Sequence, residues 1–145
     1  MHRQGETELR EATRLAPDDA MYWRELAWVL YLQRSWSDCQ VASRRALELA
    51  PPDELVPILL GAALMELQRP HEVIPVLIGR ADAGHVGQDY RAWAWRLLAE
   101  AYGHTGDWQR AADAWRESER LAPDGLGRDG RALYAEAVEQ ALALR

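Results

Sequence analysis

The chain of 145 residues has no lysine, no asparagine, no phenylalanine and a single cysteine, Cys39. One thiol excludes a disulfide within the chain, and Cys39 is expected to be a small buried structural thiol. All 17 basic residues are arginine, set against 23 acidic ones for a formal charge of −6. With no basic run, neither nucleic acid nor an anionic membrane is expected as the main partner. No segment reaches the roughly eighteen uninterrupted apolar residues of a membrane helix, and the charged start Met1-His2-Arg3-Gln4-Gly5-Glu6 is not a signal peptide. A cytoplasmic location follows as the expectation. The three missing residue types share AT-rich codons, which points to a GC-rich bacterial genome.

Catalytic patterns are also lacking. The histidines, His2, His71, His85 and His104, are scattered, without the i, i+4 pairing or CxxC companions of a metal site. The segment Gly103-His104-Thr105-Gly106-Asp107 has glycines but no preceding strand and no Lys-Ser/Thr, so it reads as a turn rather than a phosphate loop. Nothing places a serine, a histidine and an aspartate as nucleophile, base and orienter. No enzyme activity, cofactor or metal is expected.

What is present is repetition. Leu15-Ala16-Pro17, Leu49-Ala50-Pro51 and Leu121-Ala122-Pro123 end three segments alike, with prolines 34 and then 72 residues apart, and 72 is 34 plus 38. At the 72-residue offset Trp23, Leu26, Ala27, Leu30, Trp36, Cys39, Ala46 and Leu49 are answered by Trp95, Leu98, Ala99, Tyr102, Trp108, Ala111, Ser118 and Leu121. A period of about 34 residues with helical spacing inside it predicts stacked helix-turn-helix units. Trp23, Leu26, Ala27 and Leu30 form one apolar stripe at i, i+3, i+4 and i+7, and the small Ala27 lets a neighbouring helix approach. Ser35–Ala50 reads as a second helix, capped by Ser35 and stopped by Pro51. Asp18 or Asp19, Asp53, Asp89 and Asp124 are candidate N-caps of other segments.

These residues resemble the tetratricopeptide repeat: a large residue opening helix A, a large/small pair, an aromatic beginning helix B, small residues later in it, and a closing proline. The resemblance implies an all-α, right-handed superhelical solenoid of stacked antiparallel helix pairs, about three and a half units with a C-terminal capping helix. The expected division of a single domain 1–145 is a half repeat at 1–19, a repeat at 20–53, a degenerate repeat with an insertion at 54–91, a repeat at 92–125 and a capping helix at 126–145. The chain thus begins mid-repeat, with Leu9, Ala12 and Leu15 on the buried side of a B-type helix. In the middle unit Pro57 replaces the opening aromatic and Arg80 falls where a small residue is expected. Pro75 predicts a kinked or late-starting helix, and the extra residues belong to Asp82–Asp89, a mobile loop by expectation, with a longer start to the helix at Tyr90. After a glycine-rich turn at Gly125, Gly127 and Gly130, a last helix at about Arg131–Leu144 either caps the stack through Tyr134, Ala135 and Val138 or starts another repeat.

In this family the A helices line a concave groove. Carried position by position, the resemblance implies a peptide-binding groove of Arg24, Trp28, Tyr31, Ile58, Leu59, Met65, Trp93, Arg96, Leu97 and Glu100. Trp23, Trp36, Trp95, Trp108 and Trp115 fall on core positions, whereas the repeat needs no large residue at Trp28 or Trp93, and an uncovered indole suggests a partner. The family's chaperone-tail clamp uses lysines and asparagines. Trp28 stands where that clamp has asparagine, so a chaperone tail is not expected. The expected function is a non-catalytic scaffold holding an apolar or amphipathic peptide or helix of a protein partner. Two other readings stay open: a homo-oligomer built through the terminal helices, and the regulatory repeat domain of a larger protein.

Overall fold

Leucine, alanine and glutamate favour helix throughout the chain, and three of the short linkers between helices pass through the left-handed region of the backbone at the same place. Arg34 at φ 61°, Gln68 at φ 61° and Gly106 at φ 83° do so. Arg34 lies 34 residues before Gln68 and 72 before Gly106. The repeat read from side chains is therefore written in the backbone as well.

The computed structural model describes residues 2–49, 54–81 and 87–144. Pro51, Asp53 and residues 82–86 of the expected insertion lie outside the described residues. The helices are α1 (His2–Leu15), α2 (Ala20–Leu32), α3 (Trp36–Leu49), α4 (Val56–Glu66), α5 (Pro70–Leu77), α6 (Gln88–His104), α7 (Trp108–Leu121) and α8 (Gly127–Ala143). They fall into two compact units, 1–68 and 69–145.

In the first unit α2 packs on α1, α3 and α4, and α3 packs on α4. Leu26, Ala27 and Leu30 of α2 are buried as their spacing requires. The close approach is made by small residues: Ala27 and Cys39 are both 0% exposed, and the Cys39 thiol lies 3.5 Å from the Ala27 carbonyl oxygen, to which it can donate. α4 is apolar all round, and Val56 through Leu64 are buried without a break. Pro57 sits in its first turn, where a missing N–H costs nothing. Asp19 is the N-cap of α2, accepting from the Met21 amide at 3.0 Å.

Leu15 departs from expectation. It is 68% exposed, and among the described side chains of α1 the buried one is Thr13, whose hydroxyl donates to the Arg10 carbonyl at 2.8 Å. A threonine that satisfies its own hydroxyl can be buried at little cost, so polarity misplaced the buried face by part of a turn.

In the second unit α6 packs on α5 and α7, and α7 on α8. Ala99 and Ala111, both 0% exposed, repeat the small-residue approach of Ala27 and Cys39 at the same offset. Ser118, also buried, donates to the Ala92 carbonyl at 2.8 Å. Asp107 is the N-cap of α7. α6 starts at Gln88, two residues ahead of Tyr90.

Three expectations here need correction. α5 starts on time at Pro70 and runs unbroken through Pro75, so it is not late-starting; it is short, eight residues against fourteen in α7. It ends because Arg80 stands where the equivalent helices bury Ala46 and Ser118, and Gly79, at φ 84°, turns the chain so that Arg80 is exposed. α8 begins at Gly127, four residues before Arg131, taking in two of the glycines read as a turn. Its buried residues are Gly130, Ala137 and Ala141, while Ala135 and Val138 are exposed; Tyr134 is half-buried and hydrogen-bonds Arg116 of α7, so the covering face is Tyr134 beside a stripe of small residues. Asp89 and Asp124 are not caps: α6 is preceded by Gly87 and α8 by Leu126.

Candidate functional site

Each unit carries its own aromatic surface. In the first, Arg24, Trp28 and Tyr31 follow one another on α2 at i, i+4 and i+7, a single helical face. Trp28 is half-buried and stacks on Tyr31, with ring centroids 5.8 Å apart and planes at 19°. Tyr31 in turn meets the edge of Trp36, 5.6 Å away at 65°. The three rings brace one another, so their orientation is set before any ligand arrives. Tyr31, Leu32, Arg34, Trp36 and Glu66 line a cleft of about 350 Å³ beside them. Burial raises the Tyr31 phenol above its ordinary value. Arg24 lies 3.5 Å from Glu25.

Ile58 at 2% and Leu59 at 0% exposure lie within the packed interior, so they form wall rather than contact surface. Met65 is half-buried. The all-round apolar character of α4 caused this difference, because periodicity alone could not tell an outward leucine from an inward one.

In the second unit Trp93 is half-buried and lines a cleft of about 350 Å³ with Asp89, Arg96, Ser118 and Gly125. Leu97 is buried, 6% exposed. Arg96 makes several contacts on this surface. Its Nη1 donates to the Leu126 carbonyl at 2.9 Å and the Gly125 carbonyl at 3.3 Å, its Nε donates to Glu100 at 3.2 Å, and its guanidinium carbon lies 5.5 Å from the Trp115 ring centroid. The side chain therefore ties α6 to the turn before α8 and to α7.

A larger cleft, about 460 Å³, opens between α6, α7 and α8. Sequence reasoning missed it. It assigned Trp108 and Trp115 to the core, and both line the cleft, although Trp115 is itself only 2% exposed. The usable signal was the spacing of Gly130, Ala137 and Ala141, which turns Asp129, Leu133 and Glu136 toward the opening.

Among the described residues no reactive group is set up for chemistry. Cys39 is fully buried, and burial pushes its thiol up to about 11, well away from a nucleophilic thiolate at neutral pH. Among the described residues no group of three or more His, Cys, Asp or Glu side chains is placed to hold a metal ion. No described helix is long and apolar enough to cross a membrane.

No protein-family model and no curated protein matches the sequence. Solved structures do match in fold. MamA from Desulfovibrio magneticus RS-1 superposes with a TM-score of 0.76 at 18% identity, over 98% of this chain and 82% of that one. YrrB, described as a TPR protein with an unusual peptide-binding site, gives 0.75 at 14% identity, over 99% of this chain and 78% of that one. PcrH from Pseudomonas aeruginosa gives 0.61 at 19% identity, over 86% and 89% respectively. The chain has the tetratricopeptide-repeat fold, an all-α solenoid of antiparallel helix pairs.

Proposed function

We propose that this protein is a non-catalytic interaction module that holds an apolar or amphipathic peptide or helix of a partner protein. The observation that carries the reading is the braced, half-buried ring series Trp28, Tyr31 and Trp36, an apolar surface with a fixed shape. Rigid aromatic side chains lose little entropy on binding and give large contact area, which is why they dominate interaction hot spots. Arg24, Trp28, Tyr31 and Met65 would make the contacts in the first unit, and Trp93, Arg96 and Glu100 those in the second. Ile58, Leu59 and Leu97 would support them from beneath. The peptide-binding site described for YrrB is consistent with this use of the fold. The repeat boundaries that go with the reading are 1–19, 20–53, 54–91, 92–125 and 126–145, in one domain.

Affinity capture from native lysate with immobilised protein tests the proposal. It expects a partner retained by the parent and lost from the Trp28→Ala, Trp93→Ala double variant. Equal recovery by both would exclude the aromatic surfaces.

Self-association is a second reading, favoured by α8, where Leu133, Val138, Leu142 and Leu144 are exposed. Light scattering across a concentration series distinguishes it: the first reading expects a monomer mass throughout, the second a mass that rises with concentration.

A further inference from the structure

The cleft between α6, α7 and α8 has a floor and a rim of opposite chemistry. Its floor is small residues and the indoles of Trp108 and Trp115; its rim carries Glu100, Asp129 and Glu136. Arg96 shows what such a surface holds. Its guanidinium lies over Trp115 and bonds Glu100, satisfying one indole and one carboxylate from within the chain. The second set has no such cover: Asp129 and Glu136 are exposed, and neither carboxylate has a hydrogen bond or ion pair among the described residues. Three carboxylates against one guanidinium leave this cleft with a formal charge of −2 when His104 is neutral.

Charge and shape together select the occupant. An acidic ligand is repelled, and a purely apolar one strips water from two carboxylates without replacing it. A guanidinium is planar, weakly hydrated and able to stack on an indole while its N–H groups fork onto a carboxylate. We propose that this cleft receives an arginine side chain of the partner peptide, its guanidinium shared between the Trp108 indole and the carboxylates of Asp129 and Glu136. The inference rests on the interaction-module reading and adds the chemistry of the ligand: an amphipathic segment with arginine beside its apolar face.

Three synthetic amphipathic helices with one identical leucine face and arginine, glutamine or glutamate at the flanking positions are the probes, followed by fluorescence anisotropy at low and high salt. The arginine peptide should bind about tenfold tighter than the glutamine peptide, and the glutamate peptide weakest, with the spread narrowing at high salt. Asp129→Asn combined with Glu136→Gln should erase the arginine preference while leaving the glutamine-peptide affinity unchanged and lowering the thermal melt only slightly, through loss of the first-turn carboxylate of α8. Equal binding of all three peptides by the parent, or an arginine preference that survives in the double variant, overturns the inference and leaves peptide binding itself intact. Binding of none of the three also overturns it. Lysate capture that persists in that case keeps the interaction-module reading, and loss of both removes both.

Discussion

A methyl group built on Gly130 would stand 3.2 Å from Arg96 Nη1 and 3.1 Å from the Leu126 Cβ. The glycine is where the start of α8 meets the guanidinium that binds the Leu126 carbonyl and covers Trp115. In an open helix alanine would be preferred over glycine by roughly 0.5–1 kcal/mol. Here both neighbours are pinned, Leu126 as the N-cap of α8, accepting from the Gly130 amide, and Arg96 by three hydrogen-bond acceptors. Gly130→Ala should therefore destabilise by about 1 kcal/mol net despite its better propensity, and a denaturant titration reads it. A more stable variant would mean that Arg96 is not held in this place.

The left-handed turns give a test of the repeat register. Gly106 adopts φ 83° without a Cβ, whereas Arg34 and Gln68 hold φ 61° with one. A side chain in this region costs about 1–2 kcal/mol, part of which glycine returns through the freer unfolded chain. Arg34→Gly and Gln68→Gly should each stabilise by about 0.5 kcal/mol, and Gly106→Ala should destabilise by about 1 kcal/mol. Thermal melts of the three variants are sufficient.

The tryptophans are not equivalent in the core. Trp115 is 2% exposed, while Trp23, Trp36, Trp95 and Trp108 are half-buried. Trp115→Ala should cost about 3–5 kcal/mol. Trp23→Ala should cost less, because its indole is partly solvated and its hydrogen bond to the Pro17 carbonyl, 2.8 Å, is at the surface. Calorimetry should rank Trp115 first. Trp23 ranking above it would refute the packing described for α7.

Cys39 links burial to pH. Its folded value, about 11, is above the ordinary thiol value of about 8.5 because burial disfavours the thiolate. A raised value means that the unfolded chain loses its proton first, so the stability contributed by the neutral thiol is complete below about pH 8.5 and lost as pH climbs toward 11. The stability difference between the parent and Cys39→Ala should shrink over that window. A constant difference would show that the thiol is reached by water.

The helices were legible because stripes such as Trp23, Leu26, Ala27 and Leu30 and the closing Leu-Ala-Pro triplets are local signals that survive in one sequence. Asp107 was missed as a cap although it stands at the Ser35 position of the repeat, so the register contained that information. The early end of α5 was signalled by Arg80 more than by Pro75: a helix can carry one proline near its start, but it cannot bury a guanidinium against a neighbouring backbone. The candidate site was harder to read. Position rules borrowed from the family named Trp28, Tyr31, Trp93 and Arg96, which do reach the surface in part. They also named Ile58, Leu59 and Leu97, which do not. Which leucine of an all-round apolar helix faces outward depends on tertiary packing that no single-sequence pattern contains.

The central claim, that aromatic surfaces of this fold bind a partner, is tested most directly by measuring partner capture and thermal stability together for Trp28→Ala, Trp93→Ala and Leu26→Ala. Leu26 is 2% exposed, so its truncation should cost about 2–5 kcal/mol and, well below the melt, leave capture unchanged. Trp28→Ala loses its stack on Tyr31, a loss of about 0.5–1.5 kcal/mol, yet it should weaken capture roughly thirtyfold, as should Trp93→Ala. Capture that falls with the tryptophans and not with Leu26 is the expected result. Capture that instead follows the melting temperature across all three, or that is untouched by either tryptophan, contradicts the account.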